Sequence, residues 1–330
     1  MKQKNDWIET TGSDQEWYDY TAKKWANAKT SDGSMWVWIP RYAYSITSGY
    51  QSSSAGNIEV EFMKGLTNET STGRKSFNNA SGQGKWNIHP AFNYGQTVSG
   101  LWVAKFEASN SSGKIKVEPG VQSWRSITVN DIYTNCLNYN KTLNSHMMKN
   151  DEWGAVAYLS KSKYGKNAEV TINSNSSYYT GGGSGNAYVS NIGQSTTGTV
   201  HGVYDMSGGA WEYVAAYVNN GDFNLKNYGS SLVNGDAKTK NVYSKGSTNS
   251  YEDNYKQNKG VYGDALYETS INGNSRDGSW YDDYSIFPIS PFFIRGGSYN
   301  NGTNAGMFAF YADNGNIDSF NSFRPVLVAL

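Results

Sequence analysis

IRGGSYNNGTNAGMFAFYADNGNIDSFNSFRPVL, residues 294–327, opens on Arg-Gly-Gly-Ser, closes on Phe-Arg-Pro-Val-Leu and is small, polar and aromatic in between. Gly and Asn accept the left-handed backbone of tight turns. Tyr, Ser, Gly and Asn are the residues on which antibody-type paratopes rely, because they combine contact area with adaptable hydrogen bonding. Neighbouring positions mix Ile, Asp, Phe and Ala, so the interior of the stretch follows the period of neither a helix nor a strand. A loop surface pinned at both ends is predicted, and with it binding rather than catalysis. The side chains expected to display there are Tyr299, Asn301, Asn304, Ala309, Tyr311, Ala312, Asp313, Asn314, Asn316, Ile317, Asp318, Ser319, Phe320 and Asn321.

Working outward, Lys+Arg and Asp+Glu balance at 28 each, so no net field draws the 330-residue chain to nucleic acid or to an anionic membrane. Aromatics reach 15% while charged residues are only 17%, which favours a loop-rich fold over a helical bundle. The single Cys136 excludes an intramolecular disulfide framework and a Cys-cluster metal site. It falls on an apolar helical pattern and reads as a buried, inert thiol. No apolar run is long enough to span a membrane. The N-terminus, MKQKNDWIETTGSDQEW, lacks the apolar segment of a signal peptide.

Residues 1–30 are polar with scattered aromatics (Trp7, Trp17, Tyr18, Tyr20, Trp25) and read as an arm or attachment segment; one domain is expected over 31–330. Alternation through Trp36, Trp38, Tyr42, Tyr44 and Ile46 predicts a strand over 34–46, with Pro40 at an edge or kink. GLWVAKFEAS (100–109) predicts a second strand. A helix is expected over 126–140, with Thr128 and Asp131 near capping-box spacing and Ile132, Cys136 and Tyr139 as its apolar stripe. Another is expected over 149–163, with Asn150 as N-cap and Trp153, Val156, Ala157 and Ser160 on its buried side. HGVYDMSGGAWEYVAAYV (201–218) reads as a turn and strand, followed by a long polar insertion over about 219–290.

Five signals then stand in a fixed order: WIPRYAY (38–44), NDEWGAVAYL (150–159), GVYDMSGGAWEYV (202–214), IRGGSY (294–299) and SFRPVL (322–327). Together they resemble the formylglycine-generating-enzyme-like branch of the C-type lectin fold, over roughly 34–330. The resemblance implies an α+β class: a small twisted antiparallel sheet, two helices and long loops. Trp211, Glu212, Arg295 and Arg324 then read as scaffold, Glu212 on backbone donors and each arginine bracing loop carbonyls or stacking on a ring. The enzymes of this family use cysteine chemistry near the C-terminus, and here no Cys follows Cys136, so their oxidase activity is not implied. The variable proteins of diversity-generating retroelements, including a phage tropism determinant, are the more similar branch, with 294–327 as the variable-type region. Their adenine-directed mutation of Asn codons excludes Lys, Glu, Gln, Met and Trp, and within 298–322 only Met307 belongs to those types.

No catalytic residues, cofactor or metal are therefore expected. His89, His146 and His201 stand in no zinc-type spacing, and only Tyr281, Asp282 and Asp283 offer oxygens for a structural Ca²⁺. The expected partner is a surface protein or glycan of a host or neighbouring cell. The expected setting is a virion or bacterial surface, with the arm joining a particle or a homo-oligomer. A glycan-binding lectin of fixed specificity is the binding alternative, and an oxidase of the formylglycine-generating type or a hydrolase the enzymatic one.

Overall fold

The computed structural model describes residues 17–330 and the backbone of two short strands, Lys2–Lys4 and Trp7–Glu9; the side chain of Trp7 and the rest of 1–16 lie outside the described residues. The organising element is the strand Trp211–Asn219, buried at every position except its last. Side chains on a strand point alternately to opposite faces. Here Trp211, Tyr213, Ala215 and Tyr217 enter one hydrophobic cluster, while Val214, Ala216 and Val218 enter another. The helix Val129–Tyr139 supplies Val129, Ile132, Tyr133 and Cys136 to the first cluster. The helix Asn150–Lys161 supplies Trp153, Val156 and Leu159 to the second. A strand covered on both faces reads as a continuous apolar run, as WEYVAAYV does.

Trp211–Asn219 belongs to a seven-stranded sheet and pairs with three neighbours. Antiparallel Phe292–Gly296 lies on one edge. Parallel Asn321–Phe323 and parallel Asn241–Ser244 divide the other. Gly306–Asp313 continues the sheet antiparallel to Phe292–Gly296. A second, five-stranded antiparallel sheet runs in the order His146–Met147, Pro325–Leu327, Gly100–Ala104, Met35–Pro40, Asn27–Lys29. The class is α+β, but the principal sheet is larger than expected and mixed. One of its parallel pairs arises because the chain re-enters from the C-terminal loop beside the start of Trp211–Asn219 and running the same way.

Several boundaries differ from the sequence reading. The strand expected over 34–46 breaks at Arg41 into Met35–Pro40 and Tyr42–Ser48, which belong to different sheets. Arg41 N turns aside to donate to Ser99 O, at the kink that Pro40 introduces. Lys149, not Asn150, is the N-cap of the second helix, because Glu152 reaches back to accept from Lys149 N at 2.9 Å. Thr128 caps the first helix as expected, accepting from Asp131 N at 3.2 Å. Trp25 is fully buried and Asn27–Lys29 pairs with Met35–Pro40, so the body begins before residue 31.

The 219–290 insertion is packed into the body rather than hung on it. Its Leu266, Trp280 and Phe287 are core residues. A Cβ on Gly154 would stand 2.0 Å from Gly263 O, so glycine alone lets the insertion lie on the second helix, which is consequently buried from Asn150 to Ser160. Glu268 fastens this contact. Its Oε2 accepts from Tyr44 Oη at 2.7 Å, Tyr158 Oη at 2.9 Å and Gly263 N at 2.8 Å. Burial, partly opposed by these three donors, pushes the Glu268 carboxyl up to about 7. A raised acid contributes stability that is present below its unfolded value and lost as pH rises through its folded one. Glu268→Gln keeps an acceptor without the titration. The stability of the parent relative to Glu268→Gln should therefore fall as pH rises from 4.5 to about 7, by about 3 kcal/mol. Denaturant unfolding of both proteins across this range checks it, and a pH-independent difference would contradict it.

Candidate functional site

Two buried guanidiniums fix the borders of the C-terminal stretch. Arg295 donates to main-chain oxygens of Ala309, Asp264 and Ala265, each at 3.0 Å, and to Asn150 Oδ1 at 3.1 Å. Arg324 donates to Ala104 O and Tyr204 O, both at 3.0 Å. The two charges lie 5.4 and 5.9 Å from the ring centre of Trp153, whose Nε1 donates to Met307 O at 2.8 Å. Glu212 departs from expectation. It is buried, but its carboxylate is paired with Arg324, through Nε at 2.7 Å and through Nη2, rather than held by backbone donors. The reason is register: Glu212 pairs with Ser322 across the parallel strands, which brings Arg324 within reach. Glu107 and Asp205 complete the cluster. Burial first, then the charges of Asp205 and Glu212, holds the Glu107 carboxyl far above the ordinary range.

Between these borders the main chain is tied down. Gly208 and Gly209 both take φ +74°, the left-handed turn that only glycine enters freely. Gly209 O accepts from Tyr299 N at 2.9 Å, and Trp211 N donates to Phe320 O at 2.9 Å. The distal loop is stitched to the start of the first helix by Ser126 N to Asp318 O at 2.9 Å and Val129 N to Gly315 O at 3.0 Å.

The candidate side chains then separate by environment. Asn314, Ser319, Ile317 and Phe320 are exposed, Ile317 at 61% and Phe320 at 40%. Tyr299, Asn304, Tyr311, Ala312, Asn316 and Asp318 are half-buried. Ala309 and Asn321 are buried and cannot display. Both fail for one reason: residues 306–313 form a strand, not a loop, and 321–323 form another, so side chains alternate into the core. The mixed composition hid the period because Phe308 and Phe310 belong to one core cluster and Ala309 to the other. Asn301 braces its own turn, its Oδ1 accepting from Ser298 N at 2.7 Å. Asp313 is a structural hub: its Oδ1 accepts from Tyr213 Oη and from Gly315 N at 2.9 Å, and its Oδ2 accepts from Asn321 Nδ2 at 3.2 Å.

The exposed aromatics rest on two trios. Tyr178 lies 4.9 Å from Tyr299 and 6.3 Å from Phe320 between ring centres. Trp211 lies 6.2 Å from Tyr284 and 6.4 Å from Tyr311, and those two are 5.0 Å apart. Trp211, at 8% exposure, is thus the floor of this surface as well as scaffold. Sequence reasoning missed Tyr178 and Tyr284, which come from segments without motif character; aromatics next to turn residues in NSNSSYY (173–179) and DDYS (282–285) were the available signal.

Elsewhere the expected chemistry takes structural forms. Cys136 is buried, and burial raises its thiol well above the ordinary value. His89 is buried and pushed down to about 3, and His146 is wedged between Asn144 O and Glu152 Oε1, each at 2.8 Å. Among the described residues, no group of three His, Cys, Asp or Glu side chains is placed to hold a metal ion. Asp283 accepts instead from Phe308 N at 2.9 Å. No helix there is long and apolar enough to cross a membrane. No protein-family model matches the chain, and no curated protein is significantly similar to it.

This division is measurable. Ile317→Ala and Phe320→Ala should each change unfolding free energy by less than about 1 kcal/mol, the usual range for exposed positions. Asp313→Ala removes the acceptor shared by Tyr213 Oη, Gly315 N and Asn321 Nδ2 and should cost about 1–3 kcal/mol. Denaturant titration of the three variants separates display from scaffold, and equal losses would refute the partition.

Proposed function

We propose that the chain is a non-enzymatic binding protein of C-type-lectin-like architecture whose ligand face is the surface built from Tyr299, Tyr311, Asn314, Ile317, Asp318, Ser319 and Phe320. One observation carries this reading: exposed and half-exposed, chemically unrelated side chains are mounted on a backbone tied to the body by main-chain hydrogen bonds, while Asn314 Oδ1 and Asp318 Oδ1 accept only from Asn316 N and Phe320 N within the loop, so the display positions contribute little to the fold. Such an arrangement lets side chains change without cost to folding. That is what diversification of Asn codons requires, and it fits the similarity to variable proteins of diversity-generating retroelements. A phage particle or a bacterial surface is the setting, and a host or neighbouring-cell surface molecule the target. The buried, protonated Cys136 adds support for binding over oxidation chemistry.

The test is a library randomised at Tyr299, Tyr311, Asn314, Ile317, Asp318 and Phe320. Most members should express solubly with melting temperatures near the parent, and they should differ in which cells they attach to. Widespread misfolding would make the stretch core and end the proposal. At the gene, a near-copy of the region encoding 294–327 beside a reverse transcriptase is the expected accompaniment.

A further inference from the structure

Two side chains far away in sequence adjoin the display surface: half-buried Arg125 beside it and Tyr178, only 8% exposed, beneath it. Arg125 stacks on Tyr178 with its guanidinium carbon 3.7 Å from the ring centre, and its Nη1 donates to Ser319 O. Tyr178 in turn meets Tyr299 edge-to-face at 82° and Phe320 at 72°. The cluster therefore joins the 124–126 and 175–179 segments to both ends of the C-terminal stretch.

Three features of this cluster exceed what a scaffold needs. Tyr178 holds φ +57°, a left-handed backbone where Asn or Gly is easily accommodated and a bulky residue is strained. Its ring is retained there against that strain. Arg125 has no carboxylate partner among the described residues, and its one hydrogen bond there is made by Nη1, so Nη2 is left as donor to a ligand while the buried Nε is not. The nearby Asp318 carboxylate is already engaged, accepting from Phe320 N at 2.6 Å. Arginine, tyrosine and large apolar groups pre-ordered by stacking are the usual anchors of protein–protein interfaces.

We propose that Arg125 is a fixed member of the ligand face, positioned by the buried Tyr178 ring beneath it, and that the partner it fits is a protein surface presenting a carboxylate or carbonyl acceptor beside an apolar contact. This rests on the binding reading above. A protein is favoured over a glycan because the surface next to the Arg125–Tyr178 pair is apolar: Phe320, which meets Tyr178, is 40% exposed, and Ile317, three residues before it, is 61% exposed. Residues of the C-terminal stretch would then set which protein is bound, while the Arg125–Tyr178 pair supplies affinity common to all of them.

The experiment displays the full chain with Asn314, Ile317, Ser319 and Phe320 randomised, and selects it in parallel on immobilised serum albumin, an acidic protein, and on mannan-agarose. Albumin-binding clones then receive Arg125→Lys, Arg125→Ala, Tyr178→Phe and Tyr178→Asn, with Kd and melting temperature measured for each. Arg125→Lys keeps the charge and loses the planar stack, and Tyr178→Asn relieves the left-handed backbone while deleting the ring. Both should weaken albumin binding at least tenfold without lowering the melting temperature by more than a few degrees, and Tyr178→Phe should bind as its parent does. If Arg125→Ala or Tyr178→Asn proves unstable, Arg125→Lys decides. Albumin binders indifferent to Arg125 and Tyr178 overturn the inference and leave the binding reading standing. Enrichment on mannan alone replaces the protein partner with a glycan. No enrichment on either support removes the inference together with the reading beneath it.

Discussion

A buried guanidinium is tolerated only when its charge and its donors are met, and the fold is arranged around two that are. Arg324 spends its donors on Glu212, Ala104 O and Tyr204 O; Arg295 spends its donors on main-chain oxygens from the 264–265 and 307–309 segments. Each arginine thus ties together segments distant in the chain, and Trp153 lies against both. Replacing such a pair with apolar residues can be neutral, but removing one partner leaves an unmatched charge in the interior. The consequence here is geometric. Both arginines border the C-terminal stretch, so its entry and exit are fixed by interactions that involve none of the exposed side chains between them.

That separation explains how the surface can be chemically heterogeneous. Main-chain bonds from Tyr299, Trp211, Ser126 and Val129 hold the stretch, and Asp313 gathers three donors at its turn. Asn314, Ile317, Ser319 and Phe320 face outward between these ties. On the proposed binding reading, stability and recognition sit on different atoms of the same segment, the condition under which one can vary without the other.

The scaffold was legible because it is made of strong local signals. Thr128 and Asp131 announced a helix start, WEYVAAYV a strand, and the arginines at 295 and 324 the borders. What escaped depends on pairings between distant segments. Nothing around Glu212 in sequence points to Arg324; the parallel register of 211–213 with 321–323 brings them together. The strand at Gly306–Asp313 escaped because both its faces are covered, so Phe308, Ala309 and Phe310 are all buried and no polar alternation marks the period. Arg125 and Tyr178 escaped for a related reason: their role exists only once the 124–126 and 175–179 segments meet the loop.

The central claim is that the backbone of the display region is held independently of its exposed side chains, and amide hydrogen exchange tests it most directly. A variant carrying Asn314→Ala, Ile317→Ala, Ser319→Ala and Phe320→Ala together should keep the protection of the Ser126, Val129, Trp211 and Tyr299 amides within a few-fold of the parent. Loss of protection at these four amides, with the strand Gly100–Ala104 unaffected, would show that the exposed side chains hold the loop in place and would contradict the account.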